Sequence, residues 1–237
     1  MEYAALTDVG MKRHNNEDSY IINEVNKDKI FIVADGMGGH NAGEIASLEA
    51  CRMIESFIIN STGDDIESIM REGVQKANRE LFIRAAEDEK LNGMGTTIDV
   101  CVIKDGVLHV AHVGDSRVYL IDENSIEKIT KDHSVVGMMI DSGTLTEEQA
   151  KVHPQRHYIT RAVGTTMTVE VDIEQRSIHS PQKILMCTDG LTNMVSKEEI
   201  HRIVNGNESV SAAASELVSK AKENGGDDNI TVILLNI

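Results

Sequence analysis

The run Lys29–Asp35, KIFIVAD, is apolar at every position from Ile30 to Ala34, and a strand without a polar face has to be covered on both sides. That requirement rules out a sheet with one wet face and asks for a layered fold. Glu2–Val9 and Asp18–Val25 read as strands ahead of it. Two helices follow, because Ile45, Leu48, Cys51, Ile54 and Ile58 recur every three or four residues, as do Ile66, Ile69, Val74, Ala77 and Leu81. Asn41 with Glu44, and Asp64 with Glu67, have the spacing of a helix N-cap and its third-position partner.

From Gly95 onward the pattern is strand-like again: TTIDVCVIK, GVLHVAHVG, SRVYLID and SIEKIT, broken at Lys104–Gly106 and Asp122–Asn124, which predicts an antiparallel meander. Periodicity then weakens over about residues 130–160, where short helical pieces and a Thr146/Gln149 capping box predict a mobile flap. Two more strands, a helix start near Ser196, a helix carrying Val210, Ala213, Leu217, Val218 and Ala221, and the final strand NITVILLNI complete the chain. With no βαβ alternation, this order predicts an α+β fold with helices on the outer faces of antiparallel sheets. No linker interrupts the 237 residues, which read as a single domain, 1–237, large enough to bury a core without disulfides. Cys51, Cys101 and Cys187 sit in separate apolar runs, as buried thiols of a reducing compartment would.

The stretch after KIFIVAD is glycine-rich, yet it lacks the Gly-Lys-Ser/Thr of a phosphate-binding loop, and Asn41 stands where a dinucleotide fingerprint needs glycine. What recurs is aspartate at the polar edge of an apolar run: Asp35 after IFIVA, Asp115 after VAHVG, Asp189 after ILMCT and Asp228 before NITVILL. One Asp-Gly is a turn. Four such acids gathered at one rim would raise one another's pKa unless a cation neutralised them, and oxygen-only donors point to a hard ion, Mn²⁺ or Mg²⁺. Arg13, just ahead of Glu17 and Asp18, has the planar fork that suits a phosphate dianion, and a surface pair with a carboxylate is the alternative reading. His109 and His112 are three apart on a strand and so face opposite ways. Arg117, Arg161, Asp132 and His133 read as framework, the last two fixing the base of the flap, with substrate contact the alternative for Arg161.

Taken together, TDVGxxRxxNED, VADGMGGHxAGExAS, GTT, AHVGDSRVYL, TKDHS, ITRAVG, CTDGL and DDNITVIL cover nearly the whole chain in order. The sequence resembles the metal-dependent protein phosphatase family (PPM, type 2C) in its compact bacterial form. The resemblance implies a β-sandwich of two antiparallel sheets flanked by helix pairs on both outer faces. It implies a two-metal core held by Asp35, the Gly36 carbonyl, Asp189 and Asp228, with Asp35 bridging, a weaker third ion at Asp115, and Glu17 and Asp18 holding water in the shell beyond. Arg13 matches the phosphate-binding arginine. The expected reaction is hydrolysis of phosphoserine and phosphothreonine in proteins by a metal-activated water, reversing bacterial Ser/Thr kinase signalling. Met37 stands where many relatives place a proton-donating histidine, which leaves leaving-group protonation open between the nearby His40 and metal-bound water, with packing or capping as the other role for His40. A phosphoprotein-binding scaffold without turnover, and a phosphatase for an anti-sigma-factor antagonist, are the competing readings.

A net charge of −16 argues against nucleic acid and anionic membranes as partners. The N-terminus has no signal-peptide pattern and no run approaches a membrane span, so the expectation is a cytoplasmic protein, with monomer as the default; the resemblance implies phosphorylated proteins as partners, a Ser/Thr kinase among them.

Overall fold

Strand β3 (Asp28–Met37) explains why the architecture has four layers. Its Phe31 and Val33 point into one apolar cluster and its Ile30, Ile32 and Ala34 into another, as alternation on a pleated strand dictates. The computed structural model describes residues 1–25, 28–39 and 42–237. Among them, β3 lies in a sheet ordered β2 (Asp18–Val25), β3, β5 (Ile98–Lys104), β6 (Val107–Val113) and β9 (Asp172–Ser177), with the short β4 (Gly95–Thr96) also paired to β3. The facing sheet runs β1 (Glu2–Asp8), β11 (Ile230–Asn236), β10 (Lys183–Cys187), β7 (Arg117–Ile121) and β8 (Ile126–Lys128). All pairings are antiparallel.

Between the sheets, Phe31, Val33 and Cys101 meet Val118, Ile184 and Ile233. Helices α1 (Ala42–Asn60) and α2 (Ile66–Glu87) cover the outside of the first sheet. Helices α6 (Lys197–Gly206) and α7 (Val210–Glu223) cover the second, burying Ile200, Ile203, Ala213 and Leu217 on Tyr119, Leu185 and Val232. The short α3 (Val135–Asp141) and α4 (Glu147–Lys151) lie in the flap segment, and α5 (Asp189–Thr192) follows β10. Thr146 and Gln149 form the expected capping box at the start of α4. Among the described residues no helix is long and apolar enough to cross a membrane.

Three expectations need correction. The predicted meander is split: β5 and β6 pair in one sheet, β7 and β8 in the other, and the chain crosses between sheets at Gly114-Asp115-Ser116. Alternation tells which face a residue takes and not which strand is its neighbour. Gly114 makes the crossing with φ +121°, where a Cβ would also strike the side chain of Thr97. The N-cap of α2 is Asp65, which accepts from the Ser68 amide at 3.2 Å, in place of Asp64; the two aspartates offer the same spacing one residue apart. Finally, α1 buries Ala42, Ala46 and Ala50 beside Cys51, Ile54 and Ile58, whereas Ile45 and Leu48 are only half-buried, so small side chains set how closely this helix approaches the sheet. The Asn41 cap and His40 lie outside the described residues.

Candidate metal centre

The ends of strands from both sheets meet at one rim. Asp35 and Asp18 are cross-strand partners on β3 and β2; Asp115 lies in the crossing after β6; Asp189 opens α5 just past β10; Asp228 precedes β11. A cavity of about 540 Å³ is lined by Arg13, Glu17, Asp35, Gly36, Asp115, Asp189 and Asp228. Residues drawn from across the chain are thus brought to one wall, with Asp18 buried behind it.

Short polar side chains hold this rim in place. The Asp35 amide donates to Thr97 Oγ1 at 2.9 Å, and its carbonyl accepts from the Thr97 amide and Thr96 Oγ1, each at 2.9 Å. Asp18 Oδ2 accepts from Thr188 Oγ1 at 2.9 Å and Thr231 Oγ1 at 2.7 Å. Gly36 runs so close to the carbonyl oxygens of Gly43 and Glu17 that any Cβ there would collide with them. Asn229, which the sequence reading did not single out, accepts from the Glu17 amide at 2.8 Å and donates to the carbonyls of Val9 and Asn15 at 3.0 and 2.9 Å. It stitches the loop bearing Arg13 and Glu17 to the start of β11. Its position inside DDNITVIL was its sequence signal.

The electrostatics are those of acids waiting for a counter-charge. Burial, reinforced by Asp189 and Asp228, pushes Asp18 up to about 7, and burial with Asp189 and Asp132 pushes Asp115 up to about 8. Asp35 is driven well above the carboxylate range by burial and then by Asp18, Asp189, Asp115 and Asp228. Burial followed by Asp228 raises Asp189, and burial raises Glu17. Asp18, Asp115 and Asp189 each keep one buried oxygen, Oδ1, without a hydrogen-bond partner, a state that costs free energy unless something supplies a positive charge. Among the described residues no three His, Cys, Asp or Glu side chains already converge on a single ion position. Mg²⁺ and similar ions keep several waters and take only one or two carboxylates, so carboxylates spread along a rim, with orphaned oxygens, fit such an ion.

Arg13 and Asp228 come together directly: Arg13 Nη2 donates to Asp228 Oδ2 at 2.7 Å, at a half-exposed position on the cavity mouth. The remaining candidates are framework, as expected. His109 faces Glu67 and His112 faces Asp99, so they share no ligand. Arg117 binds Asp132 at 2.7 Å, and Arg161 binds Asp172 at 2.6 Å and Glu170 at 3.2 Å. Met138 is exposed on the flap segment and Met139 half-buried.

A two-sheet sandwich that gathers buried, uncompensated carboxylates and one arginine at its open end belongs to the class of metal-dependent phosphate-handling proteins. Residues 11–230 match the family model described as protein phosphatase 2C. The chain is 39% identical to the serine/threonine phosphatase stp of Listeria welshimeri over 235 residues, 97% of this chain and 93% of that one. The crystal structure of serine/threonine phosphatase Stp1 from Staphylococcus aureus superposes with a TM-score of 0.95 at 33% identity, covering 100% of this chain and 94% of that one. The catalytic domain of the phosphatase PstP, in complex with two manganese ions, gives a TM-score of 0.88 at 33% identity, covering 99% and 97% of the two chains. The chain belongs to the protein phosphatase 2C family.

Proposed function

We propose that this protein is a Mn²⁺- or Mg²⁺-dependent phosphatase that removes phosphate from serine and threonine side chains of proteins. The observation that carries the reading is the gathering of Asp18, Asp35, Asp115 and Asp189 at one rim, all raised in pKa, with a buried orphaned oxygen on each of Asp18, Asp115 and Asp189 that calls for a divalent cation.

In this reading Asp35, the Gly36 carbonyl, Asp189 and Asp228 would hold the core ions, Asp115 would serve a weaker third, and Glu17 and Asp18 would act through solvent. The chemistry that a pair of such cations supplies is activation of water near neutral pH and neutralisation of phosphoryl charge. The protein's own contribution is positioning. Arg13 presents a planar fork to two phosphate oxygens, and its contact with Asp228 keeps the guanidinium at the cavity mouth before substrate arrives. Thr96 and Thr97 hold the Asp35 backbone, and Thr188 and Thr231 hold the Asp18 carboxylate, so that little reorganisation is left for the reaction itself. His40 is the side chain proposed to deliver the leaving-group proton.

The chain acts as a single catalytic domain in the cytoplasm, as a monomer, and opposes a Ser/Thr kinase. Turnover of p-nitrophenyl phosphate in Mn²⁺, abolished by chelation and by Asp35→Asn, is the expected result, and a phosphopeptide panel then defines the substrate class. Undiminished hydrolysis by the Asp35→Asn enzyme would overturn the assignment. His40→Ala checks the proton donor, with the largest loss expected on substrates with a poor leaving group.

A further inference from the structure

Behind the rim, four side chains form a polar chain, buried except at Asp172, that the reaction does not use: Asp99 on β5, His112 on β6, His133 after β8 and Asp172 at the start of β9. His112 Nδ1 donates to Asp99 Oδ1 at 2.6 Å and Nε2 donates to the Lys131 carbonyl at 2.8 Å. Both partners accept, so His112 is the imidazolium half of a buried ion pair. Its ring packs on that of His133, with centroids 4.6 Å apart.

His133 is tied to one residue twice. Its Nδ1 accepts from the Gly114 amide at 3.0 Å, and its own amide donates to the Gly114 carbonyl at 2.7 Å. An accepting Nδ1 places the ring hydrogen on Nε2, which donates to Asp172 Oδ2 at 3.2 Å. Arg161 Nη1 lies 3.0 Å from the same nitrogen but donates to Asp172 Oδ1 at 2.6 Å, which leaves the tautomer undisturbed. Burial first, and then the neighbouring His112 charge, bring His133 down to about 4, so the ring stays neutral and Nδ1 stays an acceptor. On the other side of the crossing, Thr97 Oγ1 shares a hydrogen bond with Ser116 Oγ at 2.8 Å and also holds the Asp35 amide. The turn that carries Asp115 is therefore clamped by His133 on one flank and tied through Thr97 to Asp35 on the other.

We propose that His133 is a positioning residue for Asp115: by engaging both backbone groups of Gly114 it fixes where the Asp115 carboxylate stands, and so sets the affinity of the weakest cation site. The inference rests on the reading of Asp115 as a cation ligand. Asp172 holds the His133 tautomer, and the Asp99–His112 pair supports the ring from behind, an arrangement of the kind by which residues beyond the ligands tune metal affinity.

The test is calorimetric titration of the chelator-stripped full chain with Mn²⁺, alongside its thermal melt. His133→Ala weakens the weakest binding step by about tenfold and leaves the tighter steps unchanged. His133→Asn, whose amide oxygen can take the place of Nδ1, restores most of the loss. Asp172→Ala, at the more exposed end of the chain, weakens the same step to a smaller extent and decides the question if His133→Ala does not fold. Asp115→Asn separates the two layers of the argument. If it abolishes the weakest step while His133→Ala and Asp172→Ala leave that step intact, the role given to His133 is overturned and Asp115 keeps its own. If Asp115→Asn leaves the step intact, the assignment of Asp115 falls and His133 with it. Equal weakening of every step would make His133 a general scaffold residue and overturn the proposal.

Discussion

Asp132 at the base of the flap and Asp35 at the rim are both aspartates drawn out of water, and the protein treats them in opposite ways. Burial opposes ionisation of Asp132, but Arg117 at 2.7 Å and Lys128 at 3.0 Å override it and hold its carboxyl below the usual range. Among the described residues none of Asp18, Asp35, Asp115 and Asp189 has an ion-pair partner, and each is raised by burial and by its neighbours' charge. An acid neutralised by the chain's own cations is framework. Acids left for something outside the chain to neutralise mark the site.

Neutralising each kind of acid should therefore act in opposite directions. Asp35→Asn is expected to lower kcat by a thousandfold or more, on the order of the losses seen when electrostatic stabilisation is removed. The same change should raise the melting temperature of the metal-free protein, because it removes a carboxyl whose ionisation burial and its neighbours oppose. A lower melting temperature would mean that Asp35 is already compensated in the folded chain. Arg117→Ala works the other way: it leaves Asp132 buried with only Lys128, and should cost about 3 kcal/mol in denaturant unfolding with little change in Mn²⁺ binding. A loss below about 0.5 kcal/mol, the scale of an exposed pair, would place the flap base among surface contacts.

Arg13 stands between the two regimes, since its partner Asp228 is itself a proposed ligand and the pair is partly exposed. Arg13→Ala should raise KM by about tenfold, the value of one charge-assisted hydrogen bond, with the tight Mn²⁺ steps retained. Collapse of metal binding in this variant would recast Arg13 as a support for Asp228 and remove its role with phosphate.

The acids were legible in the sequence because each sits where an apolar run meets a turn, a boundary that composition alone reveals. The sandwich was partly legible: Ile30 to Ala34 demanded cover on both faces, and they received it. Sheet membership was not, since β6 and β7 keep the same alternation whether they pair or part at Gly114. The roles of Asn229, Thr97, Thr188 and Thr231 were also hidden, although each residue lies within one of the recognised motifs. Their importance lies in distant partners, 213 residues apart for Thr231 and Asp18 and 220 for Asn229 and the Val9 carbonyl, and no local pattern encodes a hydrogen bond of that span. The two links from His133 to Gly114 belong to the same class, although His133 itself was recognised as fixing the flap base.

The smallest effect distinguishes the two regions by pH alone. For Asp18, at about 7, and Asp115, at about 8, the folded values exceed the unfolded one near 3.9. Between those limits the folded state binds more protons than the unfolded chain, so stability falls as pH rises through 7 to 8 and is regained on acidification toward 4. The chelated protein should therefore melt about 3 °C higher at pH 6.5 than at pH 8. Mn²⁺ binds the ionised rim, so its stabilising effect should grow over the same interval and the pH dependence of the loaded protein should flatten or reverse. Asp132 shifts the other way and releases its contribution only in acid, as pH falls below the ordinary aspartate range through its depressed value. A chelated protein whose melting temperature is flat from pH 6.5 to 8 would mean the rim acids are compensated within the fold, and the contrast between the two regions would be lost.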